Sequence, residues 1–169
     1  MLALYVAPDA GEFTLHATYL DATGNKARVP EVKKLVPLPV PRGGAVRLAP
    51  SAATMGVATG LETAMSAMLL HEVPVWATLN DGNLMKFEPP PTCKHLIIFG
   101  DHDTSFSGQV AAYSLAHRLQ LLKQDGVPRF GRIEVRIPGL VCEPDAEDTD
   151  WNDFHTAFAE RQSMGVAAE

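Results

Sequence analysis

Between residues 54 and 161 short apolar runs alternate with stretches of helical periodicity, and this alternation constrains the fold more than any other feature of the chain. Met55-Gly56-Val57-Ala58 reads as a buried strand, and residues 61–71 set Leu61, Ala64, Met65, Met68 and Leu69 on one helical face. Residues 73–79 follow as a second strand, residues 83–87 as a brief helical turn, and His95-Leu96-Ile97-Ile98-Phe99 as the clearest strand. A helix over residues 108–125, a fourth strand over 131–137 and a helix over 151–161 behind an Asp150 cap complete the series. Strands alternating with helices of this length require right-handed crossovers, which align the strands in parallel. The fold class is therefore α/β, with a mainly parallel four-stranded sheet flanked by helices.

The N-terminal texture differs. Residues 13–20 alternate Phe13, Leu15, Ala17 and Tyr19 with Thr14, His16 and Thr18, the period of a half-buried strand. Asp21-Ala22-Thr23-Gly24-Asn25 supplies turn chemistry, and residues 26–29 are expected to return as a hairpin partner. Pro30, Pro37, Pro39, Pro41 and Pro50 favour an extended, helix-free connection, with residues 44–48 as one short strand inside it. The expected organisation is a β-hairpin and proline-rich extension over 1–44, the α/β domain over 45–162, and a disordered tail over 163–169.

Composition narrows the setting. At 169 residues, 46% hydrophobic and 20% charged, the chain has the make-up of one globular domain. It lacks the run of about eighteen apolar residues that a membrane span needs. Its first residues carry neither the basic start nor the long apolar run of a secretory leader. Cys93 and Cys142 form no C-x-x-C pair, which removes a disulfide framework and a structural zinc site and points to a reducing, cytoplasmic compartment. The histidines show no H-x-x-x-H spacing, and no nucleophile elbow, phosphate loop or dinucleotide fingerprint is present.

A net charge of −6 argues against a dedicated duplex-DNA binder. Residues 22–50 nonetheless carry six basic groups (Lys26, Arg28, Lys33, Lys34, Arg42 and Arg47) against the single acid Glu31. Such a flank either attracts a polyanion toward an acidic body or is simply a solvated surface.

In an open parallel sheet, ligands bind beyond the carboxyl ends of the strands. Residues 59–62, 80–83 and 101–103 occupy those positions. Asp101 and Asp103 lie two apart on an extended strand end, so their side chains share a side. Two carboxylates so placed repel unless a cation bridges them, and hard oxygen donors favour magnesium or manganese. The other reading makes Asp103 or Ser107 a cap for the following helix. Asn80-Asp81-Gly82-Asn83 is turn and cap chemistry near the same site.

Several stretches together resemble the Toprim domain of bacterial primases, topoisomerases and some nucleases, most closely its phage- and plasmid-type primase variant. They are residues 43–50, Gly60-Leu61-Glu62-Thr63-Ala64, Gly82-Asn83-Leu84, Ile97-Ile98-Phe99-Gly100-Asp101-His102-Asp103 and Asp150-Trp151-Asn152-Asp153, with residues 15–21, Gly24 and Lys26 as a lead-in. The resemblance implies a Rossmann-like Toprim domain binding Mg²⁺ or Mn²⁺ through Asp101 and Asp103, with Asp153 as a further metal ligand. It implies metal-dependent nucleotidyl transfer in the replication of a mobile element. The implied partners are nucleotides, single-stranded DNA, and a replication helicase or zinc-binding primase module. Lys33, Lys34, Arg42 and Arg47 would guide the nucleic acid. The family's glutamate after the first strand falls at Thr59 here, and a hydroxyl has no usable pKa for general base work. Glu62 is the remaining candidate acid or base. Thr59-Gly60-Leu61-Glu62 also fits a capping box, which would give both residues a structural role. A catalytically degenerate binding module and a nuclease are the alternative functions.

Of the remaining features, Glu143, Asp145, Glu147 and Asp148 lack the pattern of a calcium loop and read as a solvated approach to the last helix. Trp151 reads as a core anchor, with base stacking as the alternative.

Overall fold

The computed structural model describes residues 1–139 and 147–166, with side chains described as far as Glu160. The elements run β1 (Leu2–Val6), β2 (Phe13–Thr18), β3 (Lys33–Leu35), β4 (Ala45–Val46), β5 (Thr54–Ala58), α1 (Leu61–His71), β6 (Val75–Ala77) and α2 (Asp81–Lys86). They continue with β7 (His95–Phe99), α3 (Ser107–Gln120), β8 (Lys123–Gln124), β9 (Val127–Pro128), β10 (Arg132–Arg136) and α4 (Trp151–Val166). One eight-stranded sheet has the order β10-β7-β5-β6-β4-β1-β2-β3. Its β10-β7-β5-β6 half is parallel, as the alternating pattern predicts. β4 joins β6 antiparallel through Val46↔Ala77, so the N-terminal strands extend the same sheet.

The helices cover two faces. Leu84, Phe87, Leu96, Ile98, Leu115 and Leu119 belong to the core under α2 and α3. Leu61, Ala64, Ala67, Ile97, Phe99 and Trp151 belong to the core under α1 and α4. Alternate residues of β7 thus feed opposite cores, which explains its unbroken apolar run. Trp151 is the expected anchor: it meets Phe99 edge-on at 5.4 Å and His71 at 5.1 Å.

The structure departs from the sequence reading at several places. The partner of β2 is β3, and Lys26 makes only an isolated bridge to Leu20. The strand β1 had no sequence assignment, yet it lies between β2 and β4. α3 ends at Gln120, because Asp125 (φ 53°) and Gly126 (φ 80°) turn β8 into β9 through two left-handed residues, the geometry of a tight hairpin. The alternation in β2 is observed, with the more polar side inward: Thr14, His16 and Thr18 are buried and Phe13 is 56% exposed. Register explains this choice of face, since Thr14 pairs with Tyr5 and His16 with Ala3, and Tyr5 and Ala3 belong to the α1 core. α4 continues to Val166, through the first residues of the stretch read as a tail. Cys142, Glu143 and Asp145 lie outside the described residues.

Gly56 sets the closeness of the central strands. A Cβ there would stand 2.5 Å from Phe99 Cε2 and 3.0 Å from Val75 Cγ2. Gly56→Ala should therefore destabilise the chain by about 1–3 kcal/mol, read from the urea unfolding midpoint.

Candidate functional site

The order β7-β5-β6 contains a reversal: the chain leaves β5 for β6 on one side and returns to β7 on the other. A crevice opens at such a switch point beyond the strand ends. Thr59 follows β5 there and Asp101 follows β7. Three local devices then shape the cleft.

The first holds the Asp-x-Asp loop to α3. Asp103 Oδ2 accepts from Gly108 N at 2.7 Å and Ser107 Oγ at 2.6 Å, so the expected capping role is real. Only glycine at 108 permits this approach, since a Cβ would lie 2.7 Å from the Asp101 carbonyl oxygen and 2.9 Å from Asp103 Oδ2. The second device clips residues 147–150 onto the strand end. His102 and Thr149 exchange backbone hydrogen bonds at 2.8 Å each, and Asp148 Oδ1 accepts from Thr104 N at 2.7 Å. The third is a reciprocal cap on α4: Asp150 Oδ1 accepts from Asn152 N and Asp153 N, and Asp153 Oδ2 accepts from Asp150 N at 3.1 Å. This confirms Asp150 as the N-cap.

Together they form a cleft of about 180 Å³ lined by Asp101, Asp103, Asp148, Thr149, Asp150 and Asp153. Asp101, Asp103 and Asp153 are thus brought together. Asp101 Oδ1 is buried without a hydrogen-bond partner. Burial first, then Asp150, Asp103, Asp81 and Asp153, push the Asp101 carboxyl from its ordinary 3.8 up to about 7. Burial, followed by Asp103, also raises Asp81. Asp148 is held below the usual carboxylate range by its Thr104 bonds.

Glu62 stands outside this lining. It is near Met1, Leu20, Asn25, Met65 and Asn152, and its Oε1 lies 3.6 Å from Lys26 Nζ. Burial pushes its carboxyl up, but a bond to its own amide and the charges of Lys33 and Lys26 take it lower overall. The capping box does not form: Gly60 is the N-cap of α1, without a side-chain cap bond. Thr59 Oγ1 instead faces Asp81 Oδ1 at 3.5 Å. Of the basic residues, Lys33 acts on Glu62 and His16, while Lys34 pairs with Glu31 at 3.9 Å. Arg42 lies beside Glu88, and Arg47 stacks over Trp76 and donates to the Ala7 carbonyl at 2.6 Å. These four have different neighbours.

Sequence reasoning missed Asp148 as a member of the cleft and Asp81 as a charge acting on it from outside the lining. Asp81's place beyond the carboxyl end of β6 was the available signal.

Fold and cleft define a doubly wound α/β domain with an acid-lined crevice at its switch point. A family model described as the Toprim domain matches residues 54–159, and the chain belongs to the Toprim family. No curated protein sequence matches it significantly. Among solved structures it is similar to the primase fragment of the bacteriophage T7 primase-helicase, with a TM-score of 0.51 and 18% identity, over 96% of this chain and 65% of that one. A DNA primase domain from Pseudomonas aeruginosa gives 0.52 and 15%, over 95% and 55%. A bacteriophage T7 chain gives 0.50 and 17%, over 97% and 74%. Its complex holds the lagging-strand DNA polymerase and primase domains of two subunits bound to an RNA/DNA hybrid and dTTP. The shared feature is a primase-type fold. The chain spans just under two thirds of the first of these structures and about half of the Pseudomonas domain.

The metal that the family implies can be tested against these residues. Among the described residues no three His, Cys, Asp or Glu groups stand ready-arranged around a metal position. Asp103, Asp150 and Asp153 each spend an oxygen on hydrogen bonds to backbone amides. The donor set is nevertheless all hard oxygen, and the unpaired Asp101 oxygen gains a partner when a cation enters. By donor chemistry, though not by a ready-made arrangement, the residues suit a divalent ion of the magnesium class.

The like charges give a pH signature. The folded Asp101 carboxyl keeps its proton up to about 7, whereas its ordinary value is 3.8. Between those values the folded state binds the extra proton, so raising pH through the window lowers stability. In a chelator, the thermal midpoint should fall from pH 4 toward pH 7, and Asp101→Asn should flatten that fall.

Proposed function

We propose that this chain is the Toprim domain of a primase-like replication protein that carries out Mg²⁺- or Mn²⁺-dependent nucleotidyl transfer on nucleic acid. The observation that carries the proposal is the buried, unpartnered Asp101 oxygen in a cleft walled by four further aspartate-bearing positions. Asp101, Asp103 and Asp153 would hold the ion, which supplies charge neutralisation at a phosphate and lowers the pKa of an attacking hydroxyl. Around it, the chain's own groups position the carboxylates: the Asp103 and Asp150 caps fix them, and Trp151 anchors the start of α4 in the core. Lys33, Lys34, Arg42 and Arg47 would meet the phosphates of single-stranded DNA.

Glu62, held ionised by Lys26 and Lys33, suits a base or an electrostatic role better than an acid. No helix among the described residues is long and apolar enough to cross a membrane, in keeping with a cytoplasmic replication protein. A helicase and a zinc-binding primase module are the proposed partners, and residues 1–44 and 45–162 the proposed units.

A second reading is favoured by one feature. Thr59 occupies the family glutamate's position, which supports a binding module that retains the metal and has lost turnover.

Primer synthesis from nucleoside triphosphates on single-stranded DNA with Mg²⁺ or Mn²⁺ tests these readings. Template-dependent product that falls about a hundredfold in Asp101→Asn supports the enzyme. Shortened DNA instead identifies a nuclease. Metal-dependent DNA binding without either product identifies the binding module.

A further inference from the structure

The N-terminal strands bury the row of side chains that would be better left in water. The inward row of β1 and β2 is Ala3, Tyr5, Thr14, His16 and Thr18, and Tyr5 Oη, Thr14 Oγ1, His16 Nδ1 and Thr18 Oγ1 are buried without hydrogen-bond partners. The opposite row pairs Leu2 with Ala17, Leu4 with Leu15 and Val6 with Phe13, so these six side chains share one face. None of them is buried: Leu2 is 75% exposed, Leu4 46%, and Val6, Leu15 and Ala17 are partly exposed. A slip of one residue in register would exchange the two rows. A chain alone in water gains by burying leucines and leaving threonines wet, so the observed choice keeps an apolar face for something outside the monomer.

The helix layer stops short of this face. It lies on the side of the sheet away from α1, the side that α2 and α3 cover further along. Among the described residues none before Ala45 belongs to the core beneath those two helices. Within β1–β3 the one charge on the face is Lys34, opposite Ala17 at the rim, and it pairs with Glu31 at 3.9 Å. With β2 spanning 6 residues and strands about 4.8 Å apart, the patch measures roughly 15 by 20 Å. Side-chain relief and the strand ends bring a contact over it to about 600 Å² per partner, the lower bound of a specific protein interface.

We infer that this face is the contact between two copies of the chain, packed sheet to sheet about a twofold axis. An apolar face without an unpaired charge complements another of the same kind, and a second copy carries one. An antiparallel sheet with one bare side is commonly covered by a second sheet about 10 Å away. The area meets what an isologous dimer needs, because each contact of such a dimer is made twice. None of the residues lining the Asp101 cleft lies on the face, so the contact is independent of the metal reading.

Sedimentation equilibrium of the full chain, from about 1 to 500 µM, tests this. A monomer–dimer equilibrium with a Kd of about 1–100 µM is expected, with a thermal midpoint that climbs as protein concentration rises. Phe13→Asp and Leu2→Asp alter side chains that are more than half exposed, at opposite corners of the patch. Each should weaken the dimer about tenfold or more and make the midpoint far less dependent on concentration. Leu69→Asp, at an exposed position of α1 on the other side of the sheet, should dimerise like the wild type. Far-UV circular dichroism checks that each variant is folded. A wild-type chain that stays monomeric throughout overturns the inference and leaves the face to a different protein. A dimer of unchanged affinity in either folded face variant overturns it too, as does one that Leu69→Asp weakens equally.

Discussion

Four acidic side chains, Asp150, Asp103, Asp81 and Asp153, act on the buried carboxyl of Asp101, and the design of this end of the sheet follows from holding them there. Like charges in a partly desolvated cleft drive one another apart or toward protonation. The fold resists the first outcome by attaching the carboxylates to rigid backbone. Asp103 is tied to the start of α3, Asp150 and Asp153 to each other's amides at the start of α4, and Asp148 to Thr104. Each attachment is an ordinary cap or turn bond worth about 1 kcal/mol. Their joint effect is to fix several negative groups around one point, a preorganised concentration of charge.

The sheet explains why these residues can meet. Asp81, Asp101 and the 147–153 segment are far apart in sequence, and they converge because β5 sits between β6 and β7 with the strand order reversing beside it. The His102–Thr149 bridge then carries the C-terminal acids to the same spot from a segment that follows β10 at the sheet's edge. Gly56 and Gly108 supply the two close approaches in this geometry, one between strands and one between α3 and the Asp-x-Asp loop.

Much of this was legible in the sequence wherever one periodic signal ruled. The parallel strands, α1, the Asp150 cap and the shared side of Asp101 and Asp103 follow from local pattern alone. The failures share a cause. β1 and the β2–β3 pairing depend on partners chosen by register, which no single segment encodes. The inward face of β2 is set by Tyr5 across the ladder, so the apolar residues of one strand do not reveal it. α3 was overextended because Asp125-Gly126 turn chemistry lay within an otherwise helical stretch. Asp81 was read as a cap since its neighbour Asn80, in the adjacent position, is the residue that caps; only the side-chain directions distinguish the two.

Those directions also separate the two carboxylates that flank the end of β5. Glu62 faces Lys26 and Lys33 from the first turn of α1, and these cations favour its charged form. Asp81 stands beside Thr59 at the end of β6, where burial and the charge of Asp103 disfavour its charged form. Like charges thus act on Asp81 and Asp101, whereas Glu62 already has two counter-charges. An exposed pair such as Lys26–Glu62 contributes little stability. Its effect is to bring the loop between β2 and β3 onto α1 beside Asn152, which bonds Ser66. Glu62 therefore belongs to the joint between the N-terminal strands and the helix layer, and the unbalanced negative charge is concentrated around Asp101.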